Sequence, residues 1–126
     1  GLGDVYKRQS NIFAKVAPLL KGKNFKVNPA EIEKFLNRYS SGNWIYPSAM
    51  SRELQLDIKS AYEILELGVS VKAFEQNLEV YCPHCHRFVG YRYKTIFDIP
   101  QEVNCVHCDT CIESALEHAV VIYKVL

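Results

Sequence analysis

The chain has no surplus of charge of either sign. Its 126 residues carry 15 Lys and Arg against 14 Asp and Glu. A domain that grips nucleic acid through phosphates shows a basic excess, and a disordered chain shows a large net charge; neither pattern is present. No apolar run approaches the roughly 20 residues that span a bilayer, so no membrane association is expected. Internal repeats and low-complexity tracts are missing, which excludes solenoids and flexible tails. The sequence also lacks a phosphate-binding glycine loop, an H-E-x-x-H metalloprotease pair, and a Ser or Cys nucleophile with a recognisable partner, so the chain is not expected to be an enzyme. What is present is a hydrophobic content of 48%. That is enough to build the core of one compact domain or two very small ones in a soluble, cytoplasmic chain.

Residues 1–9, "GLGDVYKRQ", stand apart. The string resembles the translated end of a transposase-based sequencing adapter. That resemblance implies a metagenomic or draft-assembly source, bacterial or archaeal, with the natural N-terminus missing. Such a segment carries no information about the fold. Without Asp4, Lys7 and Arg8, the basic and acidic residues balance.

Residues 10–27 read as a helical extension. Phe13, Val16, Ala17 and Leu20 fall on one face, Pro18 is expected to interrupt the run, and Lys21-Gly22-Lys23-Asn24 to form a loop. The next helix has Asn28 as N-cap, Pro29 at the first helical position and Glu31 three residues after the cap. Ile32, Phe35, Leu36 and Tyr39 follow as one apolar stripe, and "SSGN" ends it. A short helix over Pro47–Leu54 and a longer one capped by Asp57 come next. The longer helix carries Ile58, Ala61, Tyr62 and Leu65 on one face, with Gly68 in the place of a C-terminal cap. "SVKAFEQNLEVYC" then alternates like a strand through Leu78 and Val80. Helix, short helix, tight turn, longer helix and strand resemble a winged helix-turn-helix domain over residues 28–81. Trp44, the single tryptophan, is expected in its core.

All five cysteines lie between Cys82 and Cys111. Cys82-Pro83-His84-Cys85 and Cys105-Val106-His107-Cys108 are two C-x-x-C pairs, nineteen residues apart. That spacing is a zinc signature, because each two-residue turn lets both thiolates face one ion. Val89, Tyr91 and Tyr93 alternate with Phe88, Gly90 and Arg92 as a hairpin strand between the pairs. Residues 82–126 therefore resemble a zinc ribbon holding one structural Zn2+ through Cys82, Cys85, Cys105 and Cys108. Cys108-Asp109-Thr110-Cys111 is a third C-x-x-C. A helix starting at Asp109 would make Cys108 and Cys111 the second pair, as in a treble-clef finger. An odd cysteine count argues against a disulfide framework. Four thiolates would leave no open position at the metal, so His84, His86 and His107 are not assigned to it.

The fold class expected is α+β: a winged helix followed directly by a four-cysteine zinc ribbon. This domain order resembles that of archaeal transcription factor E and the large subunit of eukaryotic TFIIE, where the pair bridges polymerase and promoter. The candidate recognition helix, "DIKSAYEILELG", offers Asp57, Glu63 and Glu66 against Lys59, a charge pattern that phosphates repel. The function expected is a non-enzymatic adaptor with a protein partner; the alternative is a nucleic-acid-binding transcriptional regulator. Two patches favour the alternative. "GYRYK" interleaves Tyr91 and Tyr93 with Arg92 and Lys94, the composition of a stacking platform for single strands. Strand alternation would instead turn both tyrosines inward and leave Arg92 and Lys94 solvated. Lys15, Lys21, Lys23 and Lys26 form the second patch, otherwise a solvated surface. The last strand, "HAVVIYKVL", is apolar on both faces. The winged helix is expected to cover its second face, with a homodimer as the other way to bury it.

Overall fold

The computed structural model describes residues 12–21, 23 and 25–126. The adapter-like residues 1–9, Ser10, Asn11 and the loop positions Gly22 and Asn24 lie outside the described residues. The chain is mixed helix and sheet. Helix α1 covers 12–20, α2 Pro29–Leu36, α3 Pro47–Leu54 and α4 Ile58–Ser70. Strands are β1 Trp44–Ile45, β2 Phe74–Tyr81, β3 Phe88–Tyr93, β4 Glu102–Asn104, β5 Cys111–Glu113 and β6 Ala119–Val125. Two 3-10 turns, Ile96–Asp98 and Ala115–His118, join the later strands. One sheet has the order β1-β6-β2-β3, and β4 pairs with β5 in a second.

The residues form two compact units that are not consecutive in sequence. The first comprises the described residues up to Glu75 together with Tyr123–Leu126; the second is Gln76–Ile122. The divisions fall inside β2 and β6. A boundary drawn at Cys82 follows the sequence, whereas the contacts follow strand pairing.

In the first unit, α1 runs through Pro18 rather than stopping there. Ile12, Val16 and Leu20, four residues apart, are all buried. Burying each contributes about 1.5–3 kcal/mol, which together outweigh the roughly 3 kcal/mol cost of an internal proline. Asn28 caps α2, its side chain accepting the Ala30 N–H at 3.0 Å. Below the cap, Ile32, Phe35 and Leu36 are buried. The turn between α3 and α4 is held by Gln55 in the left-handed region (φ 54°), by Leu56 N–H donating to Ser51 O at 3.0 Å, and by Ser51 Oγ donating to Leu56 O at 2.6 Å. Asp57 is the N-cap of α4, yet its carboxylate accepts the Ser60 hydroxyl rather than a helix amide. That hydrogen bond holds its acidity above that of an ordinary aspartic acid.

Gly68 is not the end of α4. The helix continues to Ser70, and Gly68 faces the Phe74 ring so closely that a Cβ would sit 2.2 Å from two ring carbons. The glycine is there for close approach, not for a turn. β6 pairs with β1 through Trp44↔Lys124 and Ile45↔Tyr123. Tyr123 is fully buried and its hydroxyl donates to Glu66 on α4. Tyr123 and Val125 are thus buried in the helical unit, whereas on the other face of the strand Ile122 is buried and Val120 and Leu126 stay 38% and 52% exposed. Trp44 is half-buried rather than central, with Lys124 Nζ 5.9 Å above its ring.

The second unit is built from two hairpins, β2–β3 and β4–β5. Its core gathers Val80, Cys82, Val89, Val103, Cys105, Ile112 and Ala115. The alternation read along β3 fails in one place. Between the pairs Tyr81↔Phe88 and Glu79↔Arg92 the register shifts, so Val89, Gly90 and Tyr91 stand opposite Val80 alone. This bulge, with Gly90 at φ 109°, resets the facing of the strand. Tyr91 therefore ends 50% exposed while Val89 is buried. Arg92 is not a free cation either. Its Nε donates to the buried Glu79 carboxylate at 2.8 Å, which also accepts the Tyr81 hydroxyl at 2.8 Å, and its guanidinium lies 4.8 Å from the centre of the Phe88 ring.

Candidate metal centre

Each C-x-x-C pair sits at the turn of one hairpin, and the two turns are near copies. In the first, Cys82 N–H donates to Arg87 O at 2.9 Å and His86 N–H to Cys82 O at 2.8 Å. In the second, Cys105 N–H donates to Thr110 O at 2.9 Å and Asp109 N–H to Cys105 O at 2.9 Å. The residue after the second cysteine is left-handed in both, His86 and Asp109 at φ 62°. Backbone amides point at the sulfurs: Cys85 N–H lies 3.5 Å from Cys82 Sγ and His107 N–H 3.4 Å from Cys105 Sγ.

These turns bring the four sulfurs of Cys82, Cys85, Cys105 and Cys108 within 4.8 Å of one another. Two pairs that cross between the turns, Cys82 with Cys108 and Cys85 with Cys105, are each 3.6 Å apart. A tetrahedral ion with bonds of about 2.3 Å to sulfur needs sulfurs about 3.8 Å apart, so the cluster is of the right size. Cys82 and Cys105 are buried, Cys85 and Cys108 half-buried.

The electrostatics favour the same occupant. The Thr110 hydroxyl, 3.1 Å from Cys108 Sγ, and the Thr110 amide pull the Cys108 thiol down to about 6. For Cys85 the Arg87 amide pulls the same way, but desolvation and three neighbouring cysteines outweigh it and push the thiol up to about 11. Thiols this close cannot all ionise unaided, because each thiolate raises the cost of the next. A divalent cation removes that conflict, and four sulfur donors close its coordination. The residues present therefore fit a metal ion.

Cys111 is not part of the cluster. No helix starts at Asp109; Cys111 is exposed on β5, opposite Asn104, with its thiol 3.7 Å from Glu102 Oε2. Desolvation and the carboxylates of Glu102 and Glu113 raise its pKa. His84, His86 and His107 are exposed on the two turns and belong to no metal-binding group among the described residues. Thr110 escaped the sequence reading, since a threonine near a cysteine has no spacing signal. Gly90 also has a second role there: a Cβ on it would press within 3.1 Å of Val106, whose N–H reaches Val89 O at 3.4 Å. This contact docks the second turn on β3.

Comparison with known proteins found no matching family model, no matching curated protein and no matching solved structure.

Proposed function

We propose that the chain is a non-enzymatic adaptor: a winged helix followed directly by a four-cysteine ribbon closed on one structural zinc ion. The observation that carries the metal half is the sulfur cluster on two matched turns. A soft, four-sulfur tetrahedral set suits zinc, and a closed set suits structure rather than catalysis. The adaptor half is supported by α4. Its outward residues include Asp57, Glu63 and Glu66 beside Lys59 and the exposed Ile58, a surface suited to a protein rather than to duplex phosphates.

Metal analysis of protein purified without added zinc should return one zinc per chain, with Cys111→Ser retaining it and Cys82→Ser losing it. A titration with mixed-sequence duplex at moderate salt should show nothing tighter than the micromolar range of nonspecific binding. A folded, metal-free protein would overturn the metal half. Tight, sequence-selective duplex binding would replace the adaptor with a transcriptional regulator.

A further inference from the structure

Of the exposed apolar side chains of the second unit, one is almost wholly uncovered. Phe97 is 90% exposed, with Ile96 beside it at 49%. They sit on a fixed support. Thr95 N–H and Thr95 Oγ1 both donate to Asp98 Oδ2, at 3.2 and 3.0 Å, and Asp98 N–H returns to Thr95 O at 3.2 Å. A second 3-10 turn is tied in by Ala115 N–H donating to Gln101 O at 3.2 Å, and it presents Leu116 at 51% exposure. The inward residues of both turns, Ile99 and Ala115, pack in the same core. A rigid, doubly capped turn that holds out a phenylalanine costs little ordering on binding, and exposed apolar anchors of this kind mark interaction sites.

The charge of the unit selects the occupant. The whole chain is balanced, but Gln76–Ile122 is not. It holds six carboxylates (Glu79, Asp98, Glu102, Asp109, Glu113, Glu117) against three cations, Arg87, Arg92 and Lys94, of which Arg92 is committed to Glu79. A zinc ion held by four thiolates adds further negative charge. Glu102 and Glu113 stand directly opposite each other across β4 and β5, an unfavourable like-charge pair, and neither forms an ion pair among the described residues. An acidic unit that presents an apolar anchor complements a cationic partner.

We propose that the Ile96–Phe97 turn, with Leu116, is a docking surface for a protein segment that carries an aliphatic or aromatic residue flanked by Lys or Arg. This deepens the adaptor reading and rests on it. The test is selection of a displayed random-peptide library on the immobilised, zinc-loaded full chain, repeated on Phe97→Ser and on the pair Glu113→Gln/Glu117→Gln. Phe97 is solvent-facing, so Phe97→Ser should keep its zinc and its thermal transition. Enrichment of peptides with Lys or Arg beside a large apolar residue is expected. Synthetic copies of these should bind Phe97→Ser roughly tenfold more weakly or worse. The carboxamide pair should weaken binding several-fold and flatten its salt dependence. No enrichment, enrichment of acidic or uncharged peptides, or equal binding to Phe97→Ser overturns the proposal. So does self-association of the wild type that Phe97→Ser abolishes, which assigns the turn to a second copy, or oligo-uridine binding that Phe97→Ser abolishes, which assigns it to single-stranded nucleic acid. If one zinc per chain is found and duplex is ignored while Phe97→Ser changes nothing, this surface is wrong and the adaptor reading survives.

Discussion

Thr110 shows how one hydroxyl outside the sulfur cluster sets the chemistry of a thiol inside it. Its Oγ1 lies 3.1 Å from Cys108 Sγ and, with its amide, depresses the thiol to about 6 against an ordinary value of 9.0. The sign follows directly. A depressed acid is held ionised above its folded pKa, and that advantage disappears as pH falls through it. Metal ligands must be deprotonated, so Cys108 is the sulfur ready to receive the ion at neutral pH. Thr110→Val removes the hydroxyl and keeps the amide, so the thiol should rise part of the way back, by roughly one pH unit. In zinc-loaded protein, where the contact is intact, the pH midpoint of zinc release during acidification should therefore move upward. An unchanged midpoint would mean that the hydroxyl does not act on the sulfur.

At the scale of elements, the close approach of α4 to β2 depends on a missing side chain. Exposed glycine within a helix is normally improved by alanine, by about 1 kcal/mol. Gly68 should behave in the opposite way. The Cβ of Gly68→Ala would lie 2.2 Å from the Phe74 ring, and Phe74 is itself 1% exposed, so it has nowhere to swing. Overpacking of this kind costs about 1–3 kcal/mol, enough to exceed the helix gain. Urea unfolding should show a lowered midpoint for Gly68→Ala, and the same substitution should cost less in a Phe74→Leu background. A stabilised Gly68→Ala protein would contradict the packing described. The position illustrates which elements could be read from sequence. α2, α3 and α4 were legible because caps and apolar spacing are local signals. The sulfur cluster was legible because two residues between cysteines define a turn by themselves. Gly68 was misread as a cap, since sequence does not distinguish a glycine that frees φ from one that makes room. The bulge around Gly90 and the return of β6 to β1 depend on pairing between distant strands, which leaves no local trace. The two cysteine turns also hid their left-handed positions by using His86 and Asp109 where glycine is the usual choice.

Across the whole molecule, the two units draw on different sources of stability. The helical unit fills its core from its own apolar stripes, including Ile32, Phe35, Leu36, Met50, Ile64 and Leu65, all at 1% exposure or less. The second unit is smaller, and two of the seven buried residues of its core are Cys82 and Cys105 of the sulfur cluster. Structural zinc contributes on the order of 10 kcal/mol in small domains, comparable to the whole stability of a typical fold. Removing the metal should therefore remove this unit's structure while sparing the helices. Chelation followed by amide hydrogen exchange should strip protection from residues 76–122, above all from the amides that close the two turns, those of Cys82 and Cys105. The amides of α2, α3 and α4 should keep theirs. Re-addition of zinc should restore the pattern, whereas magnesium, which prefers oxygen ligands, should not. Full protection of 76–122 in metal-free protein would show that the hairpins fold without an ion and would reduce the sulfur cluster to a packing feature. Simultaneous loss across α2 to α4 would show that the helical unit also depends on the metal.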